Sequence, residues 1–249
     1  RSNTSHNLPA NLRGGSRVPD QVKISPSSMQ DALGCPRCLV VAHRHGIQSE
    51  NFMPWVGNFA AWEEKHFVGK NIADEVPGAP SWTVTSKGSK TIRSAPLPLA
   101  GVRDEYILAG RYDLLAEDEQ GNTYIVDCKT ASMAEDKADR YRMQLSAYAR
   151  IFEDPHPEDG REPIKIAGIG LLIHHPQGFL RAPESERGSY DHIFHLKSHF
   201  LPVDRDDAAL LAQAKRIAQT LERDGYPELN PGCAECQREA FGAGKTPSV

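Results

Sequence analysis

The chain has 249 residues, 39% of them hydrophobic and 25% charged, with a formal net charge of -4, a length that buries a real core and suits one large domain with short appendages. Its longest apolar run, "IAGIGLLI", is far below the roughly 20 residues that cross a bilayer, and no charged-then-apolar signal segment opens the sequence, so no membrane partner and a cytoplasmic location are expected. The negative balance offers no global attraction to nucleic acid, which would have to be held by local basic patches or through metal ions.

Residues 1 to 22 mix Ser, Asn, Gly, Pro and Arg without periodicity, the composition expected of a flexible arm. One domain is expected over 23–241, with a short tail at 242–249. "SPSSMQDALGCPRC" reads as a Ser-Pro cap and a short amphipathic helical turn carrying Met29 and Leu33. "NFMPWVGNFAAWEEKHFVGKNI" predicts a helix from about Val56, with Phe59, Trp62, Glu63, His66 and Phe67 on its buried stripe. Residues 76–104 are rich in Pro, Gly and Ser and read as a long loop or irregular strands.

"GRYDLLAEDEQGNTYIVDCKTA", residues 110 to 131, predicts a hairpin closed by a turn ending in Gly121-Asn122. In "EDKADRYRMQLSAYARIF" the residues Tyr141, Leu145, Tyr148 and Phe152 recur at helical spacing until Pro155 stops them. "IKIAGIGLLIHH" and "YDHIFHLK" are further strands, the first buried on both faces. "DRDDAALLAQAKRIAQTLERDG" is a helix opened by acids and closed by Arg223 and Gly225. The order implies an α/β fold, helices sandwiching a small mixed sheet, with no internal repeat.

The hairpin carries charges where a core strand should be apolar. Side chains alternate faces along a strand, so Asp127 and Lys129 point one way and Cys128 the other. Asp113, on the partner strand, reaches the same spot if the register sets it opposite. Two converging carboxylates repel unless a divalent cation neutralises them, and oxygen donors suit magnesium or manganese. Such an ion polarises a phosphodiester and lowers the pKa of bound water, while an ammonium beside it stabilises charge developing on phosphorus. The bland alternative is a salt bridge between Asp127 and Lys129 on a solvated strand face.

Gly110 to Asp113, Asp127 to Lys129 and Gln144 to Tyr148 stand in the order Gly-x-x-Asp, Asp-x-Lys, Gln-x-x-x-Tyr. This pattern resembles the PD-(D/E)XK nuclease superfamily, with its restriction-endonuclease-like core, and within it the RecB-like branch that includes CRISPR-associated adaptation nucleases. The likeness covers about residues 24 to 240. It implies a Mg2+- or Mn2+-dependent deoxyribonuclease, an exonuclease acting on single-stranded DNA or duplex ends in repair, recombination or CRISPR adaptation. A helicase or CRISPR adaptation proteins would be its partners. By the same likeness Asp113 and Asp127 bind metal, the Cys128 carbonyl adds a ligand, Lys129 positions water or the scissile phosphate, and Gln144 and Tyr148 support the site or touch DNA. The first core helix would add an acid or His: Glu63 is the choice, with Glu64 and His66 as alternates. The rival class is a non-catalytic DNA-end-binding or scaffold module with a structural metal.

Four of the five cysteines form two Cys-x-x-Cys pairs near opposite ends of the domain, Cys35 with Cys38 and Cys233 with Cys236. Neither pair sits in the βαβ setting of a redox motif, so four thiolates for a tetrahedral Zn2+ or an iron–sulfur cluster are expected, stapling the two ends together. The RecB-like branch implies a 4Fe–4S cluster, although its usual one-plus-three cysteine division differs from the two-plus-two found here. The histidines of "AHRHG" and "LLIHHP" read as surface or strand-end residues. Arg37, His43 and Arg44, and Lys137, Arg140 and Arg142 on the Gln-Tyr helix, are candidates for phosphate contact. No Gly-rich phosphate loop is present, so ATP hydrolysis is not expected of this chain.

Overall fold

The computed structural model describes residues 21–29, 34–45, 54–130, 137–181 and 192–237. All but the end of the expected arm, Leu33 and the tail at 242–249 lie outside the described residues. The strands are β1 (Gln21–Ile24), β2 (Thr83–Lys87), β3 (Ile92–Arg93), β4 (Glu105–Gly110), β5 (Leu114–Glu117), β6 (Thr123–Thr130), β7 (Ile166–Arg181) and β8 (His192–Val203). The helices are α1 (Pro36–His45), α2 (Pro54–Phe67), α3 (Ile72–Glu75), α4 (Lys137–Glu153) and α5 (Asp207–Leu221). Among the described residues no helix is long and apolar enough to cross a membrane.

The main sheet has five strands in the order β2-β5-β6-β7-β8, and β4 separately pairs with β1 and β3 in a three-stranded sheet. β5 and β6 form the expected antiparallel hairpin, with Gly121 supplying a positive φ of 78° at its turn. β6 and β7 run parallel and are joined through α4, the crossover that parallel pairing requires. The alternating pleat divides the core in two. Leu115, Ile125, Leu171 and Ile173 face α4 and α5 and join the larger cluster, whereas Leu114, Ala116, Val126 and Leu172 pack with Phe67, Ile72 and Val76 on the side of α2 and α3. Each such branched side chain contributes about 1.5–3 kcal/mol on burial, so both faces of β6 resist displacement. The result is an α/β fold with mixed sheets flanked by helices, as a restriction-endonuclease-like core requires.

Within the Pro/Gly-rich stretch 76–104, read as a long loop or irregular strands, lie β2, whose register with β5 is shifted, and the two-residue β3. Three expectations are corrected. α1 is a full helix of ten residues, whereas the sequence of this stretch is assigned cysteine and basic-residue roles but no helix. α5 ends at Leu221, before Arg223 and Gly225, and Asp206 caps its start by accepting from the Ala209 N–H at 2.8 Å. On α2 the buried stripe is rotated: Glu63, Glu64 and Phe67 face inward, while Trp62 is 70% exposed and His66 lies at the surface, paired with Glu75. Cationic and imidazole partners on the sheet receive the two acids, and an isolated helix pattern cannot show those partners.

Candidate active site

β6 builds the site. Asp127 is only 1% exposed, and its Oδ1 accepts from Gln144 Nε2 at 2.9 Å, so α4 fixes the carboxylate from the side. Lys129 Nζ stands 2.7 Å from Asp127 Oδ2 as an ion pair, and among the described residues no other side chain donates a hydrogen bond to that buried oxygen. The ammonium also lies 5.1 Å from the centre of the Tyr141 ring.

Asp113 sits in the bend that joins β4 to β5. Leu114 pairs with Val126, so one further step of the register sets Asp113 opposite Asp127. The Cys128 N–H donates to Asp113 Oδ2 at 2.8 Å, and the Gly88 N–H donates to the Asp113 carbonyl at 3.0 Å. The bend is held by α4 as well, because Tyr148 Oη donates to the Arg111 carbonyl at 2.6 Å. Two glycines permit this closeness. A Cβ on Gly110 would lie 2.8 Å from the Pro26 ring and 3.2 Å from the Tyr148 ring, and a Cβ on Gly88 would fall 1.9 Å from the Tyr112 carbonyl oxygen. Gly88→Ala is therefore expected to push the bend off β2, costing roughly 1–3 kcal/mol and weakening Mn2+ binding together with Tm, measured by thermal shift with and without the ion.

The electrostatics follow from the burial. Desolvation, then the charge of Asp113, pushes the Asp127 carboxyl up to about 7, against the opposing pull of Lys129. Burial would lower Lys129, but Asp127 and Asp113 outweigh it and hold the ammonium above its ordinary range. Tyr148 is raised by burial and by the same two aspartates. A buried carboxylate oxygen paired with an ammonium and facing a second carboxylate is a hard donor set that a divalent cation would satisfy.

The candidates on α2 divide between two surroundings. Glu64, 1% exposed, takes Arg111 Nη2 at 2.9 Å and Lys87 Nζ at 3.5 Å. Burial raises its pKa, Arg111 opposes the rise, and Asp113 adds to it, so Glu64 lies within electrostatic reach of the bend. Glu63 pairs with Nε2 of His174, whose Nδ1 is 2.7 Å from Ser198 Oγ. Ligand atoms of Glu63, Cys128 and His174 lie within 4.8 Å of one another, on the face of β6 opposite Asp127. Glu63 and His174 also line a cleft of about 360 Å³ together with Phe59, Trp62, Phe67 and Leu196. His66 stands at the rim of this cleft, where it pairs with Glu75, and touches neither Asp113 nor Asp127 among the described contacts. His174, read in the sequence as a strand-end residue, is buried because alternation along "LLIHH" turns it inward with Leu172.

The basic candidates fall elsewhere. Arg44 donates to the carbonyls of Gly225 and Arg223 at 2.7 and 2.6 Å, and Arg37 to that of Pro227 at 2.9 Å. Both guanidiniums flank the Tyr226 ring and anchor the segment after α5. Arg142 pairs with Asp139, and Arg140 lies over Tyr141. His43 is exposed, and the side chain of Lys137 lies outside the described atoms.

The two Cys-x-x-Cys pairs meet although nearly 200 residues separate them. Cys35 Sγ is 3.4 Å from Cys236 Sγ, and Cys38 Sγ is 3.6 Å from Cys233 and 3.7 Å from Cys236. All four sulfurs lie within 4.8 Å of one another, joining the N-terminal and C-terminal segments. The backbone N–H of Cys236 is the main influence that lowers the Cys233 thiol to about 7, while burial raises Cys38 and Cys236.

A family model of the PD-(D/E)XK nuclease superfamily matches residues 70–241, more than two thirds of the chain. The chain belongs to the PD-(D/E)XK nuclease superfamily. The matched span includes Asp113, Asp127, Lys129, Gln144, Tyr148 and the second cysteine pair, and leaves Glu63, Glu64 and the first pair before it. No curated protein matches the sequence. The crystal structure of SSO0001 shares the fold, with a TM-score of 0.51 and 15% identity over 93% of this chain and 91% of that one. For a PD-(D/E)XK nuclease, hydrolysis dependent on a divalent metal is the expected chemistry, and the acidic site on β6 has the donors for it.

Proposed function

We propose that this chain is a Mg2+- or Mn2+-dependent deoxyribonuclease of the RecB-like branch, acting on single-stranded DNA or duplex ends. The observation that carries the reading is the register that sets Asp113 against Asp127 while Lys129 stands 2.7 Å from the Asp127 carboxylate. Asp113, Asp127 and the Cys128 carbonyl would hold the divalent ion, which supplies polarisation of the phosphodiester and a water of lowered pKa. Lys129 presents a fixed positive charge to the scissile phosphate and orients the attacking water. Gln144 keeps one lobe of the Asp127 carboxylate occupied, so the other stays aimed into the site. Tyr148 holds the bend that carries Asp113, so it acts as a positioning residue. Glu64, in charge contact with Asp113, is the α2 acid available to this centre, whereas Glu63, the acid expected there, is paired with His174 on the opposite face of β6.

Such an activity would serve repair, recombination or CRISPR adaptation, with a helicase or adaptation proteins as partners. The test uses internally labelled linear and circular single-stranded DNA incubated with the purified chain and Mn2+, with a chelator as control. Stepwise shortening of the linear substrate with the circle intact supports an exonuclease, and cutting of the circle assigns an endonuclease. Intact DNA of both kinds with Mn2+ and with Mg2+ would leave the non-catalytic DNA-end-binding module as the reading.

A further inference from the structure

The cysteine geometry disagrees with the cluster that the family resemblance implies. Four thiolates around one tetrahedral ion at about 2.3 Å stand about 3.8 Å apart along each edge. The sulfur separations here, 3.4, 3.6 and 3.7 Å, match that tetrahedron slightly contracted. A 4Fe–4S cluster gives every cysteine its own iron at a separate corner of a cube, so the cube itself holds the sulfurs far wider apart. Four sulfurs mutually within 4.8 Å leave no volume between them for such a body. Nor are they disulfides, since all are free thiols well beyond the roughly 2.05 Å of an S–S bond.

The local backbone agrees with a single ion. Cys35 and Cys38 straddle the first turn of α1, where the Leu39 N–H donates to the Cys35 carbonyl at 3.1 Å. Cys233 and Cys236 repeat the arrangement at a short helical turn, with the Gln237 N–H donating to the Cys233 carbonyl at 3.0 Å. Two equal knuckles, each turning two sulfurs toward one point, give the symmetric two-plus-two set that closes a structural tetrahedral site. We propose that Cys35, Cys38, Cys233 and Cys236 hold one zinc ion in a closed tetrahedral thiolate site, and not an iron–sulfur cluster. Zinc is the assignment because four thiolates select a soft or borderline ion, and a closed four-cysteine tetrahedron that joins two chain segments, with no open position for substrate, is the structural zinc arrangement. Each thiol releases its proton on binding, and the ion ties α1 to the segment after α5.

The full chain, expressed with both iron and zinc supplied and purified anaerobically, is assayed for zinc, iron and acid-labile sulfide. One zinc per chain with neither iron nor sulfide is expected. Zinc-stripped protein refilled with Co2+ should show thiolate-to-cobalt charge transfer and the visible bands of tetrahedral cobalt, saturating at one ion per chain. Cys236→Ser and Cys38→Ser should each reduce those bands and lower Tm. Iron at this site, with or without sulfide, or a wild-type chain that takes up neither zinc nor cobalt there, overturns the proposal. The cobalt spectrum of the wild type decides the matter even if a cysteine variant fails to fold. None of these outcomes bears on the nuclease reading, which stands on Asp113, Asp127 and Lys129.

Discussion

Lys129→Ala is expected to slow Mn2+-dependent DNA cleavage by about a thousandfold or more while leaving Mn2+ binding as tight as in the unmodified chain, or tighter. The first half follows from position. Lys129 is 23% exposed, paired with Asp127 at 2.7 Å and set over Tyr141, so its charge is held still at the mouth of a largely desolvated site. A preorganised cation facing developing negative charge contributes several kcal/mol to the transition state and much less to the ground state. The second half follows from the same pair: the ammonium competes with a divalent ion for Asp127, so its removal frees that carboxylate. A residue that merely propped up the strand would lose both properties together. Lys129→Met, which keeps the packing against Tyr141, should behave like Lys129→Ala in cleavage and keep the Tm of the unmodified chain. Single-turnover cleavage rates beside Mn2+ titration by calorimetry separate the cases. A Lys129→Ala protein that cleaves DNA at an undiminished rate removes the ammonium from the chemistry.

What the sequence shows about this site depends on how local each feature is. The hairpin is readable because its turn and alternation lie within 22 consecutive residues, and register alone then brings Asp113 to Asp127. Gln144 and Tyr148, one helical turn apart, fall on the buried face of α4 for the same local reason. The choice between Glu63 and Glu64 is not local. Adjacent helical positions differ by about 100° around the axis, and here both acids go inward because Arg111 and Lys87 receive one and His174 the other. Those partners come from β2, the bend after β4, and β7, and no spacing rule on α2 refers to them. Likewise the number of cysteines is visible in the sequence, whereas the separations that distinguish one ion from a cluster arise only when α1 folds against the chain's other end.

Mn2+ affinity should climb nearly tenfold per pH unit between about pH 5.5 and 7 and flatten above, with Asp127→Asn removing that slope. Burial and Asp113 raise the Asp127 carboxyl to about 7, so below that pH a proton occupies the oxygen that the metal needs and must leave as the ion binds. The stability linkage has a matching sign. A carboxyl whose folded pKa exceeds its unfolded value favours the metal-free fold while protonated, and that contribution is lost as pH rises from the unfolded value of 3.8 through about 7. Mn2+ restores it, so the Mn2+-induced rise in Tm should grow over the same window. The cysteine site is kept saturated with zinc during the titration, because Cys233 also titrates near 7. Asp113→Asn offers an internal check: with the neighbouring charge gone, the inflection should move to lower pH even as affinity falls, because one donor is weakened. An affinity that is flat across this range in the unmodified chain would mean that Asp127 is already ionised, and that Lys129 compensates its burial more fully than the geometry implies.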